Sequence, residues 1–176
     1  MSVMVSNGLF TREDLDAMPD DGRRYELLDG AIIMSPSPGL SHQRIGLRIW
    51  RMLDDVTQDT AFEAVAAPWD VEFGLSVLEP DVVVARTDAM HERGVDGVPV
   101  LVVEVASPST RRLDITAKLS VYEQSGVQQY WLVDPAVPST RVLELQGETY
   151  AEVAHPSGAA MIDELRAVAT GLLVEP

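Results

Sequence analysis

The chain of 176 residues contains no cysteine and a single lysine, Lys118. The missing cysteines exclude disulfides, zinc–thiolate sites and a thiol nucleophile. Basic residues are scarce, because 13 Lys and Arg stand against 28 Asp and Glu and leave a formal net charge of −15. A charge of this sign argues against non-specific coating of nucleic acid, which needs a surplus of Lys and Arg to neutralise phosphates.

Long hydrophobic runs are also missing. None approaches the roughly 18–20 residues that a membrane-spanning helix needs, and the first residues, Met1-Ser2-Val3-Met4, lack the basic segment of a secretory signal. The composition, 46% hydrophobic and 23% charged, is that of a globular protein. We expect a loose N-terminus over residues 1–10 and one domain over residues 11–176.

Turn and capping signals predict most of the secondary structure. Thr11-Arg12-Glu13-Asp14 resembles a capping box and predicts a short helix. Asp29-Gly30, between two apolar runs, predicts a hairpin, and Ser41 is expected to cap a helix that ends near Val56. Further strands are expected at 62–66, 71–73, 81–85, 100–106 and 130–133, a helix at 114–125, and a hairpin at 141–145 and 149–153.

Two runs, Val82-Val83-Val84 and Leu101-Val102-Val103, are apolar without alternation. Such runs are typical of central strands that are covered on both faces. Together with the order helix, strands, helix, strand, they predict an α/β (α+β) fold in which a mixed central sheet is flanked by helices, with additional β-hairpins.

Two carboxylates lie in or beside these strands. Asp81 follows Pro80 and begins one strand, and Glu104 stands inside Leu-Val-Val-Glu-Val near the end of the next. A carboxylate in such a run is costly to bury unless it is paired, protonated or bound to metal. On neighbouring strands the two would converge on one hard cation, Mg²⁺ or Mn²⁺. A buried salt bridge to arginine, or a strand end that faces water, is the alternative that spacing leaves open.

Lys118 lies on the helix that follows the loop after Glu104. An ammonium there can reach back to a scissile phosphate or orient an attacking water. A surface ion pair with Asp114, four residues earlier, explains the same spacing.

Two segments are locally positive within this acidic chain. Arg111 and Arg112 follow the loop after Glu104, and residues 36–53 contain three arginines and no acid. A solvated helix face and a phosphate-binding rim are both consistent with this pattern. His42, in the first turn of the long helix, is a candidate to position water or contact phosphate. Glu26 alternates with apolar neighbours and points either toward such a site or toward solvent.

Several short motifs occur together in one order along about residues 11–155. They are Tyr25-Glu26-Leu27-Leu28-Asp29-Gly30, Ser35-Pro36-Ser37-Pro38 with His42, Pro80-Asp81-Val82, Val103-Glu104-Val105-Ala106-Ser107-Pro108-Ser109-Thr110, Lys118-Leu119 with Tyr122, and Tyr130-Trp131-Leu132-Val133-Asp134-Pro135. In this combination the sequence resembles the Uma-two family of restriction-endonuclease-like proteins, a branch of the PD-(D/E)XK nuclease superfamily.

The resemblance implies a role for each candidate residue. Asp81 and Glu104 correspond to the metal-binding acids, and the backbone carbonyl of Val105 would join them. The superfamily's usual lysine would stand two residues after Glu104, where this chain has Ala106. The resemblance implies that this lysine is displaced onto the following helix, as Lys118. Glu26, His42, Arg111 and Arg112 would contact substrate or support the site.

The implied activity is Mg²⁺- or Mn²⁺-dependent hydrolysis of nucleic-acid phosphodiester bonds, with DNA as the expected substrate, in the cytoplasm and without a membrane partner. Ala106 favours a different interpretation, a nuclease fold that has lost cleavage and serves binding or regulation. The acidic charge favours a third, a metal-dependent hydrolase of a small phosphorylated substrate. The apolar C-terminal residues 165–173 are expected to pack as a short helix and tail. Together with the hairpin around Tyr150 they could also form the face of a homodimer.

Overall fold

The computed structural model of the protein describes residues 2–4, 8–107 and 114–173. Its helices are α1 (Arg12–Asp16), α2 (Leu40–Thr57), α3 (Leu119–Ser125) and α4 (Met161–Leu172), and a π-helical turn, Asp114–Lys118, leads into α3. Its strands are β1 (Ser2–Met4), β2 (Arg24–Leu28), β3 (Ala31–Ser35), β4 (Phe62–Ala66), β5 (Asp70–Phe73), β6 (Ser76–Leu78), β7 (Val82–Arg86), β8 (Met90–His91), β9 (Gly94–Val95), β10 (Leu101–Val105), β11 (Gln129–Asp134), β12 (Ser139–Gln146) and β13 (Thr149–Ala154).

The six-stranded central sheet has the order β13-β12-β11-β10-β7-β4. β10 and β11 are parallel, and all other neighbours in this sheet are antiparallel. The two apolar runs form β7 and β10, which pair with each other in its interior with Val83 opposite Val102. The predicted mixed central sheet with central strands at these two runs is therefore confirmed.

Each face of the central sheet is covered by a different set of elements. Ile49 and Leu53 of α2 and Leu165 of α4 pack on the face that carries Val103. The opposite face, which carries Val102, packs against α3 and the second sheet. Helices thus flank the central sheet on both faces, and Glu104 shares the second face because side chains alternate along a strand.

The second sheet has seven strands in the order β1-β3-β2-β6-β5-β9-β8. It contains the predicted hairpin of β2 and β3, whose connecting residues Asp29 and Gly30 both have positive φ, 49° and 75°. A two-residue turn with both residues in this region matches the twist of the strands that it joins. A Cβ at Gly30 would lie 2.7 Å from Leu9, so the turn requires glycine there.

The structure differs from the sequence predictions at the start of the chain and at the start of α2. Residues 2–4, expected to be loose, pair with β3 through backbone bonds alone, since all three side chains are exposed. Ser41 does not cap α2, because extended Gly39 is the N-cap and the helix begins at Leu40. At the C-terminus the predicted helix is confirmed as α4, and Leu165, Ala169 and Leu173 are buried within the chain's own core.

Thr11 caps α1 as predicted, and its capping box with Asp14 is complete. In the described part of the chain, no helix is long and apolar enough to span a membrane.

Candidate active site

A cavity of about 200 Å³ opens where β2, the residue before β7, the end of β10 and the π-helical turn meet. Its walls carry most of the polar residues that the sequence singled out. They are Arg24, Glu26, Ser35, Pro36, Ser37, Pro38, Gly39, His42, Asp81, Glu104, Val105, Ser107 and Lys118.

Lys118 is buried on the wall of this cavity, with 2% of its surface exposed. Its Nζ donates to Glu26 Oε1 at 2.8 Å and to Glu104 Oε1 at 2.9 Å. It lies at the junction of the π-helical turn and α3, and such π-helical irregularities are frequent at functional sites. Because its side chain is buried, Lys118 does not form the surface ion pair that the spacing also allowed.

Glu104 is also buried and accepts from two side chains of one helix face. Its Oε1 receives Lys118 Nζ and, at 2.7 Å, the hydroxyl of Tyr122. Lys118 ends the π-helical turn and Tyr122 follows four residues later in α3, so both side chains reach Glu104 of β10 from the same side. Burial raises the pKa of Tyr122 well above its usual value, and the adjacent Glu104 carboxylate raises it further. Tyr122 therefore remains a hydrogen-bond donor at neutral pH.

Asp81, directly before β7, is surrounded by donors. Arg24 Nη1 and Nη2 both donate to its Oδ1 at 3.2 Å. The Val105 backbone N–H donates to Oδ2 at 2.7 Å, and His42 Nε2 lies 3.1 Å from the same oxygen. Burial alone would raise the pKa of Asp81, but His42, Arg24 and the Val105 N–H together hold it below its usual range.

We expect Asp81 to make stability fall in acid. Its pKa is lower in the folded than in the unfolded chain, so its stabilising contribution is complete above the unfolded value of about 3.9 and disappears as pH falls through the lower folded value. Denaturant unfolding from about pH 6 to about pH 2 should therefore show a steeper loss of unfolding free energy for the wild type than for Asp81→Asn. Glu63→Gln, at an exposed position, serves as control. If wild type and Asp81→Asn lost the same unfolding free energy as pH falls, the lowered pKa of Asp81 would be contradicted.

Arg24 extends the network away from the cavity. Its Nε lies 2.8 Å from Glu79 Oε1, and Glu26 Oε1 also accepts the Glu79 backbone N–H at 2.9 Å. Four carboxyl groups, Glu26, Glu79, Asp81 and Glu104, thus surround two basic side chains, Arg24 and Lys118.

These residues fit a divalent cation in chemistry. Carboxylate oxygens are the ligands that Mg²⁺ prefers, and the side chains of Asp81 and Glu104 both line the cavity. Within the described residues, no three His, Asp or Glu side chains form a ready cluster for a metal. The site therefore suits the way in which proteins usually bind Mg²⁺, through one or two carboxylates and several waters. Because both oxygens of Asp81 already accept hydrogen bonds, an ion there would take the place of a donor such as His42.

The structure brings together five of the side chains predicted from the sequence: Glu26, His42, Asp81, Glu104 and Lys118. Val105 also lines the cavity, and its backbone N–H donates to Asp81. Arg111 and Arg112 lie outside the described residues. Arg44, Arg48 and Arg51 are exposed along α2 and do not line the cavity.

Sequence reasoning gave no role to Arg24, Glu79, Tyr122 or Ser35. Signals for two of them were present in the sequence. Arg24 precedes Glu26 by two residues and so shares its strand face, and Tyr122 follows Lys118 by one helical turn. The partnership of Glu79 with Arg24 joins positions 55 residues apart and had no local signal.

Comparisons with known proteins agree with this architecture. The crystal structure of a putative nuclease belonging to DUF820 from Anabaena variabilis ATCC 29413 superposes with a TM-score of 0.70. The match covers 94% of this chain and 99% of that one at 20% sequence identity, and so establishes a shared fold. No curated protein matches the chain. The family model described as Uma2, putative restriction endonuclease, matches residues 12–173 and supports a nuclease-like function. With nearly its whole length matched in this way, the chain belongs to the Uma2 family.

Proposed function

We propose that this protein is a metal-dependent endonuclease that hydrolyses phosphodiester bonds in nucleic acid, with DNA as its substrate. One observation carries the proposal. The only lysine of the chain is buried beside a cavity and is held by Glu26 and Glu104, next to the carboxylate of Asp81. Family membership supports the nuclease-like chemistry.

Stability alone does not explain this arrangement. Removing an ammonium and two carboxylates from water is costly, and apolar residues of similar volume often stabilise a protein as well or better. Clusters of interacting titratable groups in a cleft are, in contrast, typical of active sites. Because Lys118, Glu26 and Glu104 meet at the cavity wall, a catalytic role explains why charged groups are buried here.

Each residue would contribute through its position. Lys118 would place a fixed positive charge where negative charge develops on the phosphate, since Glu26 and Glu104 already hold its Nζ. His42, whose Nε2 lies 3.1 Å from Asp81, would hold or move a proton at the cavity wall. Tyr122 would fix the orientation of Glu104.

The metal, Mg²⁺ or Mn²⁺, would be held by Asp81, Glu104 and the carbonyl of Val105. When bound, such an ion polarises a phosphate oxygen and lowers the pKa of coordinated water.

The exposed arginines of α2 favour nucleic acid over a small phosphorylated substrate. Arg44, Arg48 and Arg51 follow one side of a helix whose first residues line the cavity. The intervals between them are four and three residues, so they form one positive track, suited to successive phosphates of a strand.

We expect Arg48→Gln to weaken DNA binding and to reduce its salt dependence. Each lost phosphate contact lowers the slope of log affinity against log salt by about one. Fluorescence anisotropy at several salt concentrations measures this slope. The control is Arg166→Gln, which changes an exposed arginine on α4 that pairs with Asp55. Identical slopes for wild type and Arg48→Gln would contradict a nucleic-acid track on α2.

The activity itself is tested by incubating purified protein with supercoiled DNA, single-stranded DNA, RNA and small phosphoesters, each with Mg²⁺ or Mn²⁺. We expect divalent-metal-dependent cleavage of DNA that is lost on addition of a chelator. Cleavage of small phosphoesters alone would assign the site to a small-substrate hydrolase. Binding of nucleic acid without hydrolysis under any metal condition would assign it to a binding module.

We further propose a cytoplasmic homodimer, because cutting both strands of a duplex is suited to two sites related by a two-fold axis. Light scattering tests the assembly, and a monomeric mass at working concentration would contradict it. Cell fractionation tests the location.

A further inference from the structure

Ser35, the last residue of β3, carries a buried hydroxyl without a partner. Its residue surface is 4% exposed, and Oγ has no hydrogen bond among the described residues. In the hairpin Ser35 lies directly opposite Arg24 and Glu26 lies opposite Ile33. Side chains opposite each other in an antiparallel pair share a face, so Ser35 lies on the cavity face with Arg24 and Glu26.

An unpaired buried hydroxyl is costly and uncommon. Most buried polar side-chain atoms have a hydrogen-bond partner, because burial removes their hydration. The Ser35 hydroxyl stabilises nothing within the described chain. Since Ser35 lines the cavity, a molecule that enters the cavity can supply the missing partner.

The N-terminus of α2 lines the same part of the cavity. The N-cap, Gly39, offers no side-chain cap, and the first turn contains no acidic residue. By comparison, α1 is closed by the capping box of Thr11. Helix α2 has 18 residues, and the free N–H groups and positive dipole end of a helix attract anions. Gly39 and His42 both line the cavity with Ser35.

The connecting loop, Pro36-Ser37-Pro38, holds these groups in place. Both prolines restrict the backbone and donate no N–H. Ser37 is anchored differently from Ser35, because its hydroxyl donates to the carbonyl of Gly22. The serine of the loop therefore has a partner, whereas Ser35 at the end of β3 has none among the described residues.

We propose that the Ser35 hydroxyl and the first turn of α2 form a phosphate subsite, which binds a phosphate group of the substrate next to the one that is cut. The inference rests on the proposed function for the identity of the substrate. The subsite itself rests on the unpaired hydroxyl and the uncapped helix. Two basic side chains adjoin it, because Arg24 lies opposite Ser35 in the hairpin and His42 belongs to the first turn of α2.

The test is thermal unfolding of three full-length proteins, titrated with inorganic phosphate at constant ionic strength. A ligand that binds only the folded state raises Tm. We expect phosphate to raise the Tm of the wild type. We expect Ser35→Ala to have a Tm about 2–4 °C above wild type without phosphate, because the unpaired hydroxyl is gone. Its affinity for phosphate should be about tenfold lower, from one lost hydrogen bond to an anion.

Ser37→Ala, two residues further along the chain, is the matched control. It should lower Tm, because it removes the bond to Gly22, and should keep the response to phosphate. Amide shifts in two-dimensional NMR should locate phosphate at Gly39, Leu40 and Ser41.

Three results would overturn the subsite: no phosphate response in the wild type, a lower Tm for Ser35→Ala, or an unchanged phosphate affinity in that variant. Phosphate binding is measured without catalysis, so it can succeed where cleavage fails. In that case the subsite stands and the endonuclease proposal falls.

Discussion

Replacing Lys118 with methionine is expected to reduce the rate of metal-dependent cleavage by about 10²–10³-fold. Loss of one preorganised group that stabilises transition-state charge has an effect of this size. Methionine keeps an unbranched apolar stem in the buried position and removes only the charged end. The comparison therefore isolates the ammonium that Glu26 and Glu104 share. Single-turnover cleavage of DNA in excess Mg²⁺ measures the rate.

The same substitution is expected to lower the free energy of unfolding by about 3–5 kcal/mol, because removing one partner leaves buried charge uncompensated. A second substitution, Glu26→Gln, removes one of the two carboxylates left without a cation. The double variant Lys118→Met/Glu26→Gln should regain part of the lost stability. Denaturant unfolding of the two variants and the wild type measures this recovery.

Activity separates a catalytic from a structural role. If the ammonium acts on substrate, the double variant regains stability and stays inactive. If Lys118 only neutralises Glu26 and Glu104, the double variant regains cleavage together with stability. The second result would remove Lys118 from the proposed mechanism.

The local elements of this fold were largely predictable. The runs at Val82 and Leu101 have no polar alternation, and strands covered on both faces need none. Asp29-Gly30 supplied the positive-φ turn of the hairpin, and Thr11 the cap of α1. In each case the physical cause lies within a few residues of sequence, where propensity and pattern act.

Long-range partners were not predictable in the same way. Lys118 meets Glu26 across 92 positions, and nothing near either residue specifies the other. The second sheet was underestimated for a related reason. Its strands β8 and β9 have two residues each, too short for any periodicity. They exist through pairing, β9 with β5 and β8 with β9. The error at Ser41 has a local cause, because extended Gly39 starts α2 two residues earlier without a side-chain cap.

Replacing Glu104 with glutamine is expected to lower the cleavage rate by a factor on the order of 10³ or more. If Glu104 binds the metal as we propose, its loss removes several kcal/mol of transition-state stabilisation. Glutamine is the informative change because its carbonyl oxygen can still accept from Lys118 and Tyr122, as Glu104 Oε1 does. The fold is thereby preserved while the charge is lost. Asp81→Asn is harder to interpret as a test of metal binding. Its amide nitrogen is a donor and would face Arg24, His42 or the Val105 N–H in place of an accepting oxygen.

Metal binding can be followed apart from cleavage, by the rise of Tm with added Mg²⁺. The wild type and the exposed control Glu63→Gln should show this rise, and Glu104→Gln should not. Cleavage by Glu104→Gln at the wild-type rate, or an unchanged response to Mg²⁺, would contradict a metal-binding Glu104.

The two substitutions should move Mg²⁺ affinity in opposite directions. Glu104→Gln removes a ligand and a negative charge, so Mg²⁺ should bind more weakly. Lys118→Met removes the cation that competes for Glu104, so the same carboxylate should attract Mg²⁺ more strongly, although cleavage is lost. An inactive variant with stronger metal binding, beside an inactive variant with weaker binding, would assign Lys118 to the phosphate and Glu104 to the metal. Weaker Mg²⁺ binding in both variants would instead indicate that the substitutions only disturb the shared network.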